Sequence, residues 1–454
     1  MCESDSPFRG GIPRLGPRTS GIQSATRRTG SIGGTGRHDR SPSPVFASGA
    51  AESLPGTVGE SHVSKGMALA MGAIVDSEGF AIDSEAPMVF QEAFADVPDP
   101  RDYNAQHELL DVLFVALAAV LCGATHCTEM AYFAEARLDL LRQFVPLKNG
   151  APKHDTFSRV LRALDPVAFH TAFMRFMAAF GQQARIDVSP KRVAVDGKSL
   201  RRAYEKGAAH MPPLVVTAFD CETFISLSQT VAAAGGEVEA AIKAVNFLAL
   251  EGAIVTGDAL HCHRRMTVAI REKGGDYILA IKGNQSKLAR EAGAALDAAA
   301  ANPKTRFHQT EEDGHGRHDV RRAFVMPFQQ SPGKNALVDL VAVARVETWR
   351  TKDGKTTYKQ RNYALSLLLP ADEVLADVRG HWAIENNLHW QLDVLIREDD
   401  SRSRKDNGPA NLAILRRLCL NVLQADPRTI PLSHKRLGAR WEDQQLLGLI
   451  THVR

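Results

Sequence analysis

Apolar residues are distributed along this chain in three successive patterns. Residues 1–65 are rich in Gly, Ser, Pro, Thr and Arg and have almost no periodic apolar content. Such a segment cannot bury enough surface to offset the entropy lost on ordering, so residues 1–90 are expected to form a disordered, basic, low-complexity tail. The tail is interpreted either as a basic arm or, preferably, as an extension from a misplaced start codon, because Met67, Met71 and Met88 could each begin the chain.

Helical spacing dominates the second pattern. From about residue 97, apolar residues recur at intervals of three and four, which predicts amphipathic helices. The helical runs are QHELLDVLFVALAAVLCG, CTEMAYFAEARLDLLRQF, HDTFSRVLRAL and PVAFHTAFMRFMAAFGQQA. We therefore predict an N-terminal helical domain over residues 91–187. Nucleic-acid binding and plain packing or dimerisation are equally good interpretations of this domain, since it has no strict helix-turn-helix signature.

Strand and helix patterns alternate in the third region, residues 188–430. Short β-branched runs predict strands over 192–196, 213–219, 223–231, 253–258 and 276–282. Helices are predicted over 237–250, 261–273, 285–301, about 371–397 and about 409–424. This order indicates an α/β fold, a mixed sheet with flanking helices. Further strands are expected at about 305–369, and residues 431–454 are left as a C-terminal tail.

Charge and cysteine content narrow the class of protein. The net charge is +3, and residues 1–65 alone hold eight Lys and Arg against five acids. The other basic and acidic residues cancel, so any affinity for nucleic acid must come from local basic patches. The six cysteines show no CxxC spacing, which suggests neither a disulfide framework nor a zinc site and fits a reducing cytoplasm. The apolar run Leu109–Ala124 is too short for a membrane span and contains Asp111.

Three acidic residues lie at positions suited to metal chemistry. Asp196 and Asp258 each end a β-branched run, where ligands bind in open α/β sheets, and Glu385 lies on a later helical stretch. Alone, Asp196 could belong to an ordinary DGK turn, and Asp258 could cap the following helix. Together the three acids would offer the oxygen ligands that Mg²⁺ prefers. Two such ions, with Mn²⁺ as a possible substitute, are a common device for cutting and joining phosphodiesters.

The surroundings of Glu385 support this hypothesis. His381, Glu385, His389 and Asp393 recur at four-residue steps, which places them on one stripe of a helix. Two histidines and two acids do not form a core face, although a solvated polar face is the alternative. The spacing contains no HExxH zinc motif, so magnesium is favoured over zinc.

Several basic and polar residues are candidates for contacts with phosphate. Lys198 follows Asp196 by two residues, so both side chains should point to the same face of the strand. Lys282 and Asn284 lie at a strand-to-helix junction, where backbone N–H groups could hold a phosphate, but an ordinary turn explains them equally well. The remaining candidates are Arg201, Arg317, Arg321 and His389.

The combination of motifs resembles a known family. VAVDGKSLRR, VTGDALHC, DYILAIKGNQ, HGRHDVR and HWAIENNLHWQLDVLIREDDSRSR resemble the insertion-sequence transposases related to the H-repeat-associated proteins of Rhs elements. PDPRDYNAQHELLDVLFVALAAVLCGA with PKHDTFSRVLRALD resembles the associated N-terminal domain. The resemblance covers about residues 95–425. It implies a ribonuclease-H-like core with a strand-rich insertion at about 305–369 and an Asp-Asp-Glu triad of Asp196, Asp258 and Glu385.

The basic helpers around the third acid depart from the pattern of related transposases. Many of those proteins have a tyrosine and an arginine before the glutamate and a lysine after it. In this chain His381 stands four residues before Glu385, Arg379 lies two residues earlier, and Leu392 follows seven residues after it. Which basic residues assist Glu385 therefore stays open.

The resemblance implies a bacterial DNA transposase that cleaves and transfers strands with two Mg²⁺ ions. Its expected partners are the terminal inverted repeats of its own insertion sequence and the target DNA, bound in the cytoplasm at the nucleoid. A homodimer or higher synaptic complex is expected, and no membrane association. The alternative is an inactive or non-mobile relative that acts as a DNA-binding protein or nuclease. A helical transcriptional regulator with an unrelated α/β ligand domain is a third hypothesis.

Overall fold

The fold is seen in a computed structural model of the chain, which describes residues 89–183, 190–203, 212–233, 235–314 and 316–451. The predicted N-terminal tail, residues 1–90, lies outside the described residues apart from residues 89 and 90. The division into domains at residues 90, 187 and 430 stays a prediction.

The N-terminal region is helical, as its apolar spacing predicts. Its helices are α1 (Val89–Phe94), α2 (Leu109–Leu121), α3 (Cys127–Ala136), α4 (Leu138–Leu141), α5 (His154–Ala163) and α6 (Pro166–Gln183). Helix α2 is apolar on almost every side and nearly fully buried, so it forms the centre of this region. Aromatic rings tie α1 to α2 and α6, with the ring of Phe90 5.7 Å from that of Phe114 and 6.2 Å from that of Phe176.

The strands form one mixed sheet in the described part of the chain. They are β1 (Arg192–Ser199), β2 (Leu214–Asp220), β3 (Ser226–Ala232), β4 (Ile254–Gly257), β5 (Asp276–Ile281), β6 (His308–Gly314), β7 (Arg317–Pro327), β8 (Ala342–Lys352) and β9 (Lys355–Leu365). Their order is β3-β2-β1-β4-β5-β9-β8-β7-β6. Strands β1, β4 and β5 are parallel neighbours, while all other neighbours are antiparallel. The prediction of a mixed α/β sheet is confirmed.

Helices cover both faces of the sheet. The remaining elements are α7 (Glu237–Asn246), α8 (Arg264–Glu272), a 3₁₀ turn (Gly283–Gln285), α9 (Ser286–Ala301), α10 (Ala371–Gly380), a π-helix (Ile384–His389), α11 (Trp390–Val394), a 3₁₀ turn (Glu398–Asp400) and α12 (Gly408–Ala425). Helices α7, α8 and α9 bury apolar residues in the main core. Helix α10 packs on the opposite face through Val374, Leu375 and Val378.

Helix α12 joins the N-terminal helices to the sheet. It packs against α2, α5, α6 and β3. The side-chain amide of the buried Asn411 donates hydrogen bonds to the carbonyls of Leu161 and Leu164, both at 2.9 Å. The amide of Asn421 donates to the carbonyl of Ser226 at 2.9 Å. The helical region and the sheet therefore share one core.

The structure adds two helices where the pattern predicts only a tail. Helix α13 spans Leu432–Trp441 and helix α14 spans Asp443–Thr451, and both pack against α2. Among the described helices, none is long and apolar enough to cross a lipid bilayer.

Candidate active site

The two aspartates lie side by side where the parallel pairing of β1 with β4 stops. Val195 of β1 pairs with Gly257 of β4, so the next residues, Asp196 and Asp258, are adjacent. The predicted end of β1 is wrong by three residues. The strand continues to Ser199 because it remains paired with β2, whereas its pairing with β4 stops at Val195.

Glu385 reaches this edge of the sheet from the π-helix. The N–H of Trp390 bonds the carbonyl of Glu385, five residues earlier, which is the spacing of a π turn. One carboxylate oxygen each of Asp196 and Glu385 and one ring nitrogen of His389 all lie within 4.8 Å of one another. Asp258 lies outside that group of three, but it is close enough to act electrostatically on Asp196.

The carboxyl of Asp196 is a weaker acid than that of an ordinary aspartate. Burial raises the pKa of its carboxyl, the Gly197 N–H lowers it, and the charges of Asp258, Glu385 and Glu237 raise it further, to about 7. The pKa of Glu237 is itself raised by burial and by the charge of Asp258. Four carboxylates therefore repel one another across this cluster.

No basic side chain compensates the acids in the described part of the chain. Neither Lys nor Arg forms an ion pair there with Asp196, Asp258 or Glu385; the ion-pair contacts of the two aspartates are with histidines. Nδ1 of His389 lies 3.7 Å from Oδ2 of Asp196, and Nε2 of His261 lies 4.0 Å from Oδ1 of Asp258. An acidic cluster with this composition attracts cations.

The three histidines of the cluster are held in the neutral form. Burial lowers the pKa of His389 to about 3 and that of His381 to about 4, and nearby positive charges add to the effect at His389. Nδ1 of His381 hydrogen-bonds Oγ1 of Thr256 at 3.0 Å. Burial also lowers the pKa of His261, and both of its ring nitrogens are buried without a hydrogen-bond partner among the described residues.

The predicted stripe of His381, Glu385, His389 and Asp393 is confirmed by these contacts. His381 contacts β4, His389 and Glu385 approach Asp196, and Asp393 contacts Lys198. The predicted common face of Asp196 and Lys198 is confirmed too, because both side chains meet this one helical segment.

Lys198 occupies a more enclosed position than the sequence suggests. Its side chain is only 6% exposed, and its Nζ lies 2.7 Å from Asp393, 3.1 Å from Asp399 and 3.8 Å from Glu398. Glu398 also accepts a hydrogen bond from the buried Arg417 at 3.2 Å. Lys198 thus takes part in a buried ion-pair network, and its contact with phosphate stays a prediction.

The other candidate phosphate contacts are spread more widely. Arg201 is exposed and lies 3.3 Å from Asp399. Lys282 is exposed before the first 3₁₀ turn, and the amide of Asn284 donates to the carbonyl of Ala259, which links the ends of β4 and β5. Their binding roles stay predictions.

Arg317 and Arg321 lie on β7, apart from the acid cluster. Both pair with Asp319, at 3.4 Å and 2.7 Å, and Arg321 also pairs with Glu312 at 2.9 Å. The cleft that they line reaches Asn386, the neighbour of Glu385. A contact of these arginines with DNA is likewise untested.

Sequence reasoning missed two members of the cluster, Glu237 and His261. Glu237 begins α7, and its Oε1 lies close to Gly197, only 2.6 Å from the position that a Cβ on Gly197 would take. His261 follows Asp258 by three residues and packs under Gly257. The VTGDALHC motif contained a signal for His261, whereas Glu237 could be found only from the sheet order.

Comparison with known proteins places the chain among transposase sequences. Residues 91–177 match the family described as "DDE_Tnp_1-associated", and residues 188–422 match the family "Transposase DDE domain". "H repeat-associated putative transposase YhhI" of Escherichia coli (strain K12) is 30% identical over 341 residues, 73% of this chain and 89% of that protein. "Putative transposase YncI" of Escherichia coli O157:H7 is 31% identical over 341 residues, which cover 72% of this chain and 85% of that protein.

A solved structure gives a weaker likeness. The cryo-EM structure of a piggyBac transposase synaptic complex with hairpin DNA aligns with a TM-score of 0.36 and 10% identity, over 81% of this chain and 76% of that chain. A score this low carries no argument about the site.

Proposed function

This chain belongs to the DNA transposases of the DDE-domain family, and from this premise we propose that Asp196, Asp258 and Glu385 are its catalytic carboxylates. The observation that carries the proposal is the convergence of these acids, with Glu237 beside them, without a Lys or Arg ion pair among the described residues. Carboxylates that repel one another in a partly buried site favour a bound cation.

Two divalent cations are the proposed cofactors, Mg²⁺ with Mn²⁺ as a substitute. The carboxylates of Asp196, Asp258 and Glu385 offer hard oxygen ligands that suit both metals, and the neutral imidazole of His389 adds a nitrogen beside them. When bound, such ions activate a water or a 3′ hydroxyl as nucleophile and stabilise the leaving oxygen of the phosphodiester.

The residues of the chain supply position and access. Asp258 and Glu385 are exposed, so a DNA strand can reach them from solvent, whereas Asp196 is partly buried against the sheet. Oδ1 of Asp258 accepts a hydrogen bond from the N–H of Leu260 at 2.8 Å, which fixes this carboxylate at the end of β4. Sites placed on strands and helices hold their geometry more precisely than sites on loops.

The finer description of the fold and the partners belongs to the same proposal. In the order β3-β2-β1-β4-β5 the first three strands are antiparallel neighbours, whereas β1, β4 and β5 are parallel neighbours. This arrangement supports a ribonuclease-H-like core, which β6–β9 extend. The DNA partners are the terminal inverted repeats of the element and the target DNA, bound by a homodimer or larger synaptic complex in the bacterial cytoplasm at the nucleoid. Strand transfer between two DNA ends requires such an assembly.

Strand cleavage tests the catalytic assignment. A labelled duplex that carries the DNA flanking the gene is incubated with the full chain and Mg²⁺, Mn²⁺, Ca²⁺ or a chelator. We expect cleavage with Mg²⁺ or Mn²⁺ and none with the chelator. Asp196→Asn, Asp258→Asn and Glu385→Gln should each lower the cleavage rate by at least about a thousandfold, because they remove a ligand of the site.

The matched control is Glu135→Gln, which neutralises an exposed acid on α3. It should cleave as the wild type does. DNA binding of the three site variants, measured by fluorescence anisotropy in Ca²⁺, should stay within about twofold of the wild type, because phosphate contacts dominate affinity. Wild-type cleavage by Asp196→Asn, or a parallel loss of binding and cleavage, would contradict the assignment.

A further inference from the structure

The ribbon of β6, β7, β8 and β9 has two faces of different charge. Alternate residues of a strand point to opposite sides, and the register fixes which residues share a side. One face carries the basic residues Arg317, Arg321, Arg350, Lys352, Lys355, Lys359 and Arg361 and the acidic residues Glu312 and Asp319. The other face carries the basic residues Arg322 and Arg345 and the acidic residues Glu311, Asp313 and Glu347. We name the first of these the cationic face.

The cationic face lies on the same side of the sheet as Asp196. Strand β9 continues the sheet from β5, and Tyr363 of β9 packs against α10 on the side opposite the main core. Arg361 and Lys359 follow at two-residue steps on the same side, beyond the last residue of β5. The cationic face therefore extends outward from the strand ends at which the acids lie, the end where open α/β sheets bind ligands.

One cleft connects the cationic face to the acid cluster. Arg350, Lys359 and Arg361 line it together with Trp382 and Asn386 from the segment that carries Glu385. The guanidinium of Arg361 lies 5.2 Å from the centre of the Trp382 ring, which anchors it at the inner end of the cleft.

The basic residues of this face fall into two groups. Buried Asp319 forms ion pairs with Arg317, Arg321 and Arg350, which holds these guanidinium groups in place. In contrast, no acid of the described residues forms an ion pair with any member of a second, exposed group. These residues are Lys352, Lys355, Lys359 and Arg361. Their charges are thus available to a polyanion.

We propose that the cationic face binds the phosphate backbone of the DNA segment that leads into the acid cluster. From Lys355 to Arg361 the strand spans about 20 Å at 3.3 Å per residue, which equals the axial rise of about six base pairs of B-DNA. Lysine and arginine side chains on a strand surface contact phosphate without reading sequence. That the bound DNA leads toward the acid cluster rests on the proposed catalytic centre. The binding of DNA to the cationic face does not depend on that centre.

A triple variant tests the surface. Lys355→Ala, Lys359→Ala and Arg361→Ala are combined in the full chain, and the probe is a labelled 30-bp duplex of arbitrary sequence in buffer with a chelator. Because each phosphate contact contributes about 0.9 to the slope of log K against log salt, we expect the slope to fall by about 2–3 and the dissociation constant at about 0.1 M salt to rise at least tenfold.

The matched control removes the same number of charges elsewhere. Lys287→Ala, Arg290→Ala and Lys304→Ala lie on α9 and the loop after it, on the other side of the sheet. This control should keep the wild-type slope and affinity. The double variant Lys355→Ala/Lys359→Ala leaves Arg361 on the Trp382 ring, and its slope should fall by about 2. Lys355→Arg/Lys359→Arg should bind like the wild type.

The outcomes separate this proposal from the catalytic one. Equal slopes for the triple variant and its control would overturn the binding surface, whatever the cleavage assay gives. Wild-type cleavage by Asp196→Asn, with weak binding by the triple variant, would overturn the catalytic centre and leave the surface standing. Wild-type binding by the arginine variant would show that positive charge at these positions, and not the lysine side chain itself, supports binding, and weak binding by it would contradict a phosphate contact.

Discussion

Nδ1 of His389 lies 3.7 Å from Oδ2 of Asp196, so a neutral imidazole from the π-helix faces the most perturbed carboxyl of the cluster. The pKa of His389 is lowered from its usual value, and the pKa of Asp196 is raised from its own. A neutral ring nitrogen has a free electron pair, so it can bind a metal ion or orient the carboxylate beside it.

We expect His389→Gln to weaken binding of Mn²⁺ by about 10–100-fold, the usual effect of removing a ligand or its close support. Electron paramagnetic resonance of free Mn²⁺ gives the dissociation constant without any need for catalysis. His434→Gln, which changes an exposed histidine on α13, serves as the control. Equal Mn²⁺ affinity of wild type and His389→Gln would show that His389 only fills space.

The raised pKa of Asp196 makes a prediction about stability without metal. Its folded-state pKa of about 7 exceeds the ordinary value of 3.8, so the folded chain binds more protons than the unfolded chain between these pH values. Stability therefore falls as pH rises through this window. Asp196→Asn removes the titrating group, so its melting temperature should exceed that of the wild type at pH 8 in a chelator.

The difference in melting temperature between Asp196→Asn and the wild type should shrink as the pH is lowered from 8 toward 5, where the wild-type carboxyl is largely protonated. Differential scanning calorimetry at several pH values measures this difference. Asp102→Asn, at an exposed aspartate, is the control and should show no such trend. A constant difference between Asp196→Asn and the wild type would contradict the raised pKa.

Local patterns were enough to single out three acids of the candidate site, Asp196, Asp258 and Glu385, although not Glu237. Asp196 and Asp258 follow β-branched runs, and such runs become buried parallel strands whose ends meet at one edge of a sheet. The helical spacing around Glu385 placed its polar stripe correctly, because that spacing depends only on neighbouring residues.

Features that depend on long-range pairing could not be predicted in the same way. The sequence of each of β7, β8 and β9 contains basic residues among others, and only the register between these strands brings the basic residues together on the cationic face. Lys198 appeared to be free because its partners Asp393 and Asp399 lie about 200 residues away in the chain. The helices of 432–451 were missed because each is short and packs against α2 and the other helix of the pair, contacts that no local pattern reveals.

The ion pairs of Lys198 separate a structural role from contact with phosphate. Lys198→Met leaves Asp393 and Asp399 without this partner in a partly buried site, so it should lower the free energy of unfolding by about 3–5 kcal/mol. Urea denaturation measures the change. The double variant Lys198→Met/Asp393→Asn should regain part of the loss, because the two residues interact directly.

Lys282→Met is the matched control for this experiment, since Lys282 is exposed. Its stability should stay within about 0.5 kcal/mol of the wild type. If Lys198→Met folds with wild-type stability but binds DNA more weakly, Lys198 contacts phosphate and its ion pairs contribute little.

The buried amide of Asn411 provides a test of the junction between the N-terminal helices and the sheet. Its two hydrogen bonds, each 2.9 Å long, reach the carbonyls of Leu161 and Leu164 at the end of α5. Asn411→Ala leaves the Leu161 carbonyl without this partner and opens a small cavity, so unfolding should become easier by about 1–3 kcal/mol. Asn335→Ala, at an exposed position, should change the free energy of unfolding by less than about 0.5 kcal/mol. Because the helices and the sheet share one core, urea denaturation of Asn411→Ala should remain a single transition; two separate transitions would mean that the helical region folds by itself.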